Sequence, residues 1–217
     1  MKVEVGSHEE LVALVTRLVV EELQKAQWSV PIGVSNRHVH LCRADMDALF
    51  GPGSELTYKK KLGQPGQFAA EETVTVKGPK GALSRVRVLG PLREATQVEI
   101  SVADGFTLGV NPPVRESGKV ENTPGVELIG AKGSVKLEQG VIAALRHIHM
   151  TPPMAERMGL RDNDRVHVEL GDAIRGAIFK NVLVRVSDHY APEMHVDLDE
   201  ANAVGVKNGD MARIIKE

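Results

Sequence analysis

The sequence predicts a mainly β fold with short capping helices, and three observations predict it. Short Val-rich stretches recur between turn residues, as at Gly78-Pro79 and Asn111-Pro112-Pro113, which reads as a small barrel or sandwich. Aromatic residues make up only 3% of the chain while glycine reaches 21 residues, a balance that suits β-branched strands joined by tight turns. The C-terminal third repeats itself: HMTPPMAERMGLRDNDRVHV starts at His149 and HVDLDEANAVGVKNGDMARI starts at His195, each with a glycine ten positions on, Gly159 and Gly205. An apolar residue, a basic residue, a polar turn ending in Asp and a strand follow each glycine. A looser copy, HLCRADMDALFG, runs from His40 to Gly51. The unit reads as strand, short helix, turn, strand.

In chain order, residues 8–26 form an amphipathic helix. Ser7 as N-cap with Glu10 three residues on makes a capping box, and Leu11, Leu14, Val15, Leu18, Val19 and Leu23 recur at helical spacing. Such a stripe packs on the chain's own domain or on a subunit partner in a homo-oligomer, or serves as a docking helix for a larger assembly. Trp28 and Pro31 close this segment. IGVSNRHVHL reads as one strand leading into a short helix over Ala44–Phe50, which Gly51-Pro52-Gly53 ends. A polar, Gly-rich loop spans Lys59–Phe68 and carries Lys59, Lys60 and Lys61. Strands are expected at Thr73–Lys77, Arg85–Leu89, Gln97–Val102, Val126–Ile129 and Ser134–Leu137, followed by the two repeat units.

A length of 217 residues allows one large domain or two small ones. The formal net charge of −2 offers no basic field for nucleic acid or a membrane surface, so a phosphate-bearing ligand must be caught by a few placed cations. One cysteine excludes an internal disulfide and fits a reducing compartment. With no apolar run of membrane-spanning length and no secretory n-region, the chain reads as soluble and intracellular.

The chemistry concentrates in RHVHL (Arg37–Leu41) and RHIHM (Arg146–Met150). Alternate residues of a strand share a face, so each His-x-His sets two imidazoles side by side, half of a transition-metal site. The repeat aligns His195 with His149 and His40 and so singles out a fifth histidine. Five exceed what one tetrahedral zinc takes, which leaves two metals, or one metal with spare acid/base histidines. Cys42 would share the face of His40 by alternation, as a thiolate ligand or as a small buried thiol. Glu99 alternates against Val98 and Ile100 and reads as a solvent-facing carboxylate. Arg93, after Gly90-Pro91-Leu92, is either aimed into a cleft or on the surface, and the Lys59–Lys61 run is either solvated or a phosphate holder. His8, His167 and His189 have no spacing argument. The phosphate-loop, dinucleotide-fold, nucleophile-elbow and helical zinc-protease motifs are all absent.

VPIGVSNRHVHL, LGPLREATQVEIS, the RHIHM copy and HVDLDEANA, in this order and at compatible spacing, resemble the PduL-type phosphate acyltransferases from about residue 28 onward. The resemblance implies the reaction acyl-CoA + phosphate ⇌ acyl-phosphate + CoA, with propanoyl or acetyl groups. It also implies two small β-barrel domains, 28–36 plus 145–217 and 37–144, with the active site at their junction and residues 1–27 as a separate helix. Two zinc ions per chain are implied: His38, His40 and Glu99 match the ligands of one, and His147, His149 and His195 those of the other. Arg93 matches the arginine near phosphate, and Ser35, Lys60, Arg87, Leu89 and Asn202 match residues around CoA. Microcompartment-associated members carry an amphipathic N-terminal targeting helix, and free cytoplasmic members also exist, so both locations stay open. Read from the residues alone, a metal-dependent thioester or phosphoester hydrolase and a non-catalytic, zinc-stabilised barrel module remain as alternatives.

Overall fold

The computed structural model of the chain describes residues 7–215, apart from the side chains of 21–27; Leu23 of the expected stripe and the two ends of the chain lie outside the described residues. In order, the elements are α1 (His8–Gln27), β1 (Ser29–Ser35), β2 (His38–His40), α2 (Arg43–Phe50), β3 (Tyr58–Lys61), β4 (Phe68–Lys77), β5 (Ala82–Gly90), β6 (Gln97–Glu99) and α3 (Val102–Leu108). Then come β7 (Val114–Arg115), β8 (Val126–Ile129), β9 (Ser134–Leu137), β10 (Val141–Ala144), β11 (His147–Met150), α4 (Pro152–Met158), β12 (Arg165–Leu170), β13 (Ala177–Val186), β14 (Glu193–Asp197), α5 (Leu198–Val204) and β15 (Met211–Ile215).

The expected mainly β architecture is what forms. β1-β14-β11-β13-β12-β15 close into a six-stranded barrel, and the remaining nine strands make a second sheet in the order β7-β10-β6-β2-β5-β4-β8-β9, with β3 paired to β4. Each sheet has its own core. Ile32, Ile148, Met150, Leu170, Val184 and Met194 fill the barrel, and Val39, Leu41, Met46, Leu49, Val88 and Leu128 lie under the second sheet. Alternation along β12 and β15 sends every second residue inward, as a half-buried strand requires.

Three expectations change. The single strand IGVSNRHVHL is two: β1 belongs to the barrel and β2 to the second sheet, with the chain crossing at Asn36-Arg37 and returning at Leu145-Arg146. Arg37 is pinned at the first crossing by Asp104, 2.7 Å away, and Arg146 near the second by Glu200, also at 2.7 Å. The Lys59–Lys61 loop is strand β3, each residue on the exposed side, where lysines on a sheet edge discourage further pairing. The strand expected to reach Val102 stops at Glu99, because Ser101 and Asp104 form a capping box that starts α3.

The first helix forms as the capping pattern predicts, with Glu10 N bonded to Ser7 Oγ at 3.2 Å. Its stripe does not pack on the chain's own cores: Leu11, Val15, Leu18 and Val19 are all exposed. Among the described residues no helix is long and apolar enough to cross a membrane.

Candidate active site

β2 lies between β5, parallel to it, and β6, antiparallel. The β2–β6 register sets His38 opposite Glu99 and therefore brings the carboxylate onto the histidine face. Glu99 is 3.4 Å from His38 Nε2 through Oε2 and 4.0 Å from His40 Nε2 through Oε1. His38 Nδ1 stands 2.8 Å from the Asn36 carbonyl; a carbonyl only accepts, so Nδ1 carries a proton and Nε2 is the nitrogen turned toward Glu99. Glu99 accepts from Gln97 Nε2 at 2.5 Å and Ser117 Oγ at 2.7 Å, and Arg93 Nη1 donates to the same Ser117 oxygen at 3.0 Å. The solvent-facing expectation for Glu99 is thus overturned: it is buried, since both faces of this central strand are covered.

The second group repeats this construction in the barrel. β11 lies between β13, parallel, and β14, antiparallel, and the β11–β14 register sets His147 opposite His195. His147 Nδ1 donates to the Leu145 carbonyl at 2.8 Å, freeing Nε2, which stands 3.0 Å from His149 Nε2. The three rings lie with centroids 4.6, 4.8 and 5.1 Å apart. His195 Nε2 is 2.7 Å from Glu193 Oε2.

Both groups have the donor set and spacing of a metal site. The ligating atoms of each trio all fall within 4.8 Å of one another. Two zinc-bound nitrogens at ordinary bond lengths and tetrahedral angles sit about 3.3 Å apart, close to what His147 and His149 show. His149 Nδ1 is buried without a hydrogen-bond partner, so that ring is oriented by what its other nitrogen faces. Burial, then the neighbouring histidine charge, pushes His40 down to about 3, His147 to about 4 and His149 to about 2, which keeps them as neutral imidazoles, the form able to bind a metal. Burial also opposes charge on His38 and Glu99, but their mutual attraction and hydrogen bond outweigh it, raising the histidine and lowering the carboxyl.

One spacing places His40, Glu99, His149 and His195. Each stands two residues before a helix N-cap, namely Cys42, Ser101, Thr151 and Asp197. Three of those helices end on a left-handed glycine ten positions after the ligand: Gly109, Gly159 and Gly205. Glu99 with Gly109 is therefore a further copy of the repeat, and that spacing was the signal that marks Glu99 from sequence.

The two groups line one cavity of about 510 Å³, together with Ser35, Arg87, Leu89 and Arg93. Lys60 and Asn202 are exposed and stand outside this lining, as does Cys42, which caps α2 with no side-chain hydrogen bond. His8, His167 and His189 are outside it too. Sequence reasoning missed Gln64, Ser117, Arg185, Tyr190 and Glu193, all on the cavity wall. Arg185 pairs in register with His149 on the neighbouring strand and lies over the Tyr190 ring at 5.7 Å. Arg93 is pushed down by burial, which Glu99 opposes and the charge of Arg185 reinforces. Arg37 and Arg87 also line the cavity, Arg37 paired with Asp104 and Arg87 donating to the Ala70 and Glu71 carbonyls. Four arginines face two carboxylates, Glu99 and Glu193, on the cavity wall, an excess of positive charge that favours an anion.

A family model described as phosphate propanoyltransferase matches residues 31–207. The chain is 60% identical to a phosphate propanoyltransferase of Rhodopseudomonas palustris over 190 residues, covering 88% of this chain and 84% of that one. It is 54% identical to the Thermotoga maritima protein of the same name, covering 91% and 94%, and 49% identical to that of Salmonella typhimurium, covering 92% and 93%.

Proposed function

The chain belongs to the phosphate propanoyltransferase family of acyltransferases, and on that premise we propose that it interconverts propanoyl-CoA or acetyl-CoA plus phosphate with the acyl-phosphate plus CoA, using two zinc ions. The observation that supports this most is the convergence of two ligand trios with Arg93 and Arg185 on one cavity that Arg37 and Arg87 also line.

The physical problem is to bring a phosphate dianion onto a thioester carbonyl. Arg93 and Arg185 bind and orient phosphate, offering planar pairs of donors that match its oxygens. Holding both reactants in one cavity turns a bimolecular encounter into an in-place attack. A phosphate oxygen bonds to the carbonyl carbon, the carbon–sulfur bond breaks, and the electron pair leaves on the CoA sulfur. Zinc held by His38, His40 and Glu99, and by His147, His149 and His195, would supply Lewis-acid stabilisation of the developing oxyanion and of the leaving thiolate. Ser117 and Gln97 hold Glu99 in place by hydrogen bonds. Ser35, Arg87 and Leu89, on the cavity wall, are proposed to contact CoA, and the exposed Lys60 and Asn202, outside the lining, to contact its part that extends beyond the cavity. Attack is direct, with no acyl-enzyme, because Cys42 stands away from the cavity wall. A trapped acyl-cysteine, with turnover lost in Cys42→Ala, would overturn that route.

Each core is proposed to be its own domain, 28–36 plus 145–217 and 37–144. The exposed stripe of α1 supports an assembly role for that helix, either in a homo-oligomer or in recruitment to a microcompartment; a variant lacking residues 1–27 that still co-assembles with shell proteins would remove the second option. The test of function is CoA release from acetyl- and propanoyl-CoA followed by thiol titration. Release should require phosphate, yield acyl-phosphate in equal amount, stop on chelation and return with zinc. Release without phosphate would instead establish a hydrolase.

A further inference from the structure

We propose that Glu193 is the positioning residue of the second metal group, holding His195 by Nε2 so that Nδ1 is the nitrogen presented to the ion. The proposal rests on the reading that His147, His149 and His195 bind a metal.

The carboxylate takes no part in phosphate or CoA binding as described, yet it is built into its place. Its Oε2 accepts from His195 Nε2 at 2.7 Å and from Gln64 Nε2 at 3.1 Å. Gln64 is itself fixed by a double contact with the Ala191 backbone, donating to its carbonyl at 3.0 Å and accepting from its N–H at 3.2 Å. A Cβ on Gly33 would fall 2.8 Å from the Glu193 carboxyl carbon, and one on Gly63 would run into its two oxygens. The carboxylate thus occupies a slot walled by two residues without side chains, one from β1 of the barrel and one from the loop after β3.

The first metal group supplies an independent parallel. Register sets His40 opposite Gln97 and His149 opposite Glu193, so these two residues hold equivalent places, each two positions before the third ligand. Gln97 donates to the Glu99 carboxylate, and Glu193 accepts from the His195 imidazole. The polarity of the supporting group switches with that of the ligand: a carboxylate needs a donor behind it, a neutral imidazole an acceptor. A metal-bound histidine backed by a carboxylate has its tautomer fixed and its basicity raised, and losing that partner costs about 10–100-fold in metal affinity.

The test is zinc stoichiometry and affinity of the full-length protein by competition with a chromophoric chelator, alongside nitrogen NMR of the metal-free imidazoles. Wild type should hold two ions. Glu193→Ala should bind the first ion unchanged and the second about 10–100-fold more weakly, with the Nε2–H signal of His195 lost. Glu193→Gln, which keeps an acceptor oxygen, should recover most of that affinity. Gly63→Ala should weaken the second ion while leaving the carboxylate present, and should add little on top of Glu193→Ala. Wild-type affinity for both ions in Glu193→Ala would overturn the proposal. His195→Ala separates the two failures: if it also keeps both ions, the metal reading of the second group falls; if it loses one while Glu193→Ala loses none, only the role of Glu193 falls.

Discussion

His38 and His40 sit on a strand with one parallel and one antiparallel neighbour, and His147 and His149 sit on a strand with the same surroundings in the other sheet. In both, the arginine before the pair binds the N3 acid of a capping-box helix, Asp104 of α3 or Glu200 of α5, and that helix follows the third ligand. In both, the first histidine gives its Nδ1 proton to a backbone carbonyl two residues back. The groups part at the third ligand, a carboxylate in one and an imidazole in the other. The first ligand set carries one negative charge and the second none, so a divalent ion in the second keeps more of its charge. Arg185 flanks the second group, on the neighbour strand beside His149. Arg93 stands beside the first group through Ser117, so each group has a guanidinium near it. Under the proposed reaction the less negative second ligand set would draw phosphate and leave the neutral thioester to the first.

The largest effect that can break this comparison is removal of a ligand. His40→Ala and His149→Ala should each hold one zinc by metal analysis and lose about a thousandfold or more in kcat. They should differ in what else changes: the His149 variant is expected to raise KM for phosphate, the His40 variant KM for acyl-CoA. Equal effects on both Michaelis constants would show that the two ions do not divide the substrates.

Next comes acid stability of the metal-free protein. His40, His147 and His149 lie at about 3, 4 and 2 in the folded chain against 6.5 unfolded, so the unfolded chain takes up the protons first. Each should remove at most about 1.4 kcal/mol of stability per pH unit as pH falls below 6.5 toward its folded value. Glu99, held low, adds to the loss below the carboxylate range, whereas His38, held high, has the opposite sign: its contribution is full below 6.5 and fades as pH rises through its folded value. His149→Gln should therefore flatten the fall in urea midpoint between pH 7 and 5, and His38→Gln should steepen it. Identical slopes in the two variants would mean that the groups titrate alike despite their different third ligands.

What the sequence reveals divides along the same line. The histidines and the short helices other than α3 were legible because period-2 spacing and a glycine stop are local signals, and β8 and β9 fall on the residues that alternation picks. The split of IGVSNRHVHL was signalled only by Asn36, which is disfavoured in strands and accepts from Arg37 N at 2.8 Å. One Asn in an alternating run does not settle a break, and the crossing is fixed by Asp104, 67 positions from Arg37. Glu99 was misplaced because alternation says which face a residue takes, not whether that face is covered. Arg185 stands on a strand whose neighbours are fixed only by barrel closure, and no spacing within β13 points to it, whereas Glu193, two positions before His195 on β14, shared the ligand's face by alternation and was passed over.

The smallest effect tests whether the first group depends on supports outside its own strands. Glu99 Oε1 has two donors, Gln97 from the same strand and Ser117 from the loop after β7, and Ser117 also accepts from Arg93. Ser117→Ala removes one charge-assisted hydrogen bond to Glu99, at about 1.5 kcal/mol, together with the bonds its oxygen accepts from Arg93 and Gln97, and leaves the Gln97–Glu99 bond in place. Affinity for the first zinc should fall about tenfold, with the second unaffected, as read by chelator competition. Because Arg93 loses its anchor at the same time, KM for phosphate should rise as well, which Gln97→Ala should not cause to the same degree. If Ser117→Ala moved only the metal affinity and left phosphate binding unchanged, Arg93 would be held by the substrate rather than by the first group, and the two half-sites would be coupled less tightly than their shared cavity implies.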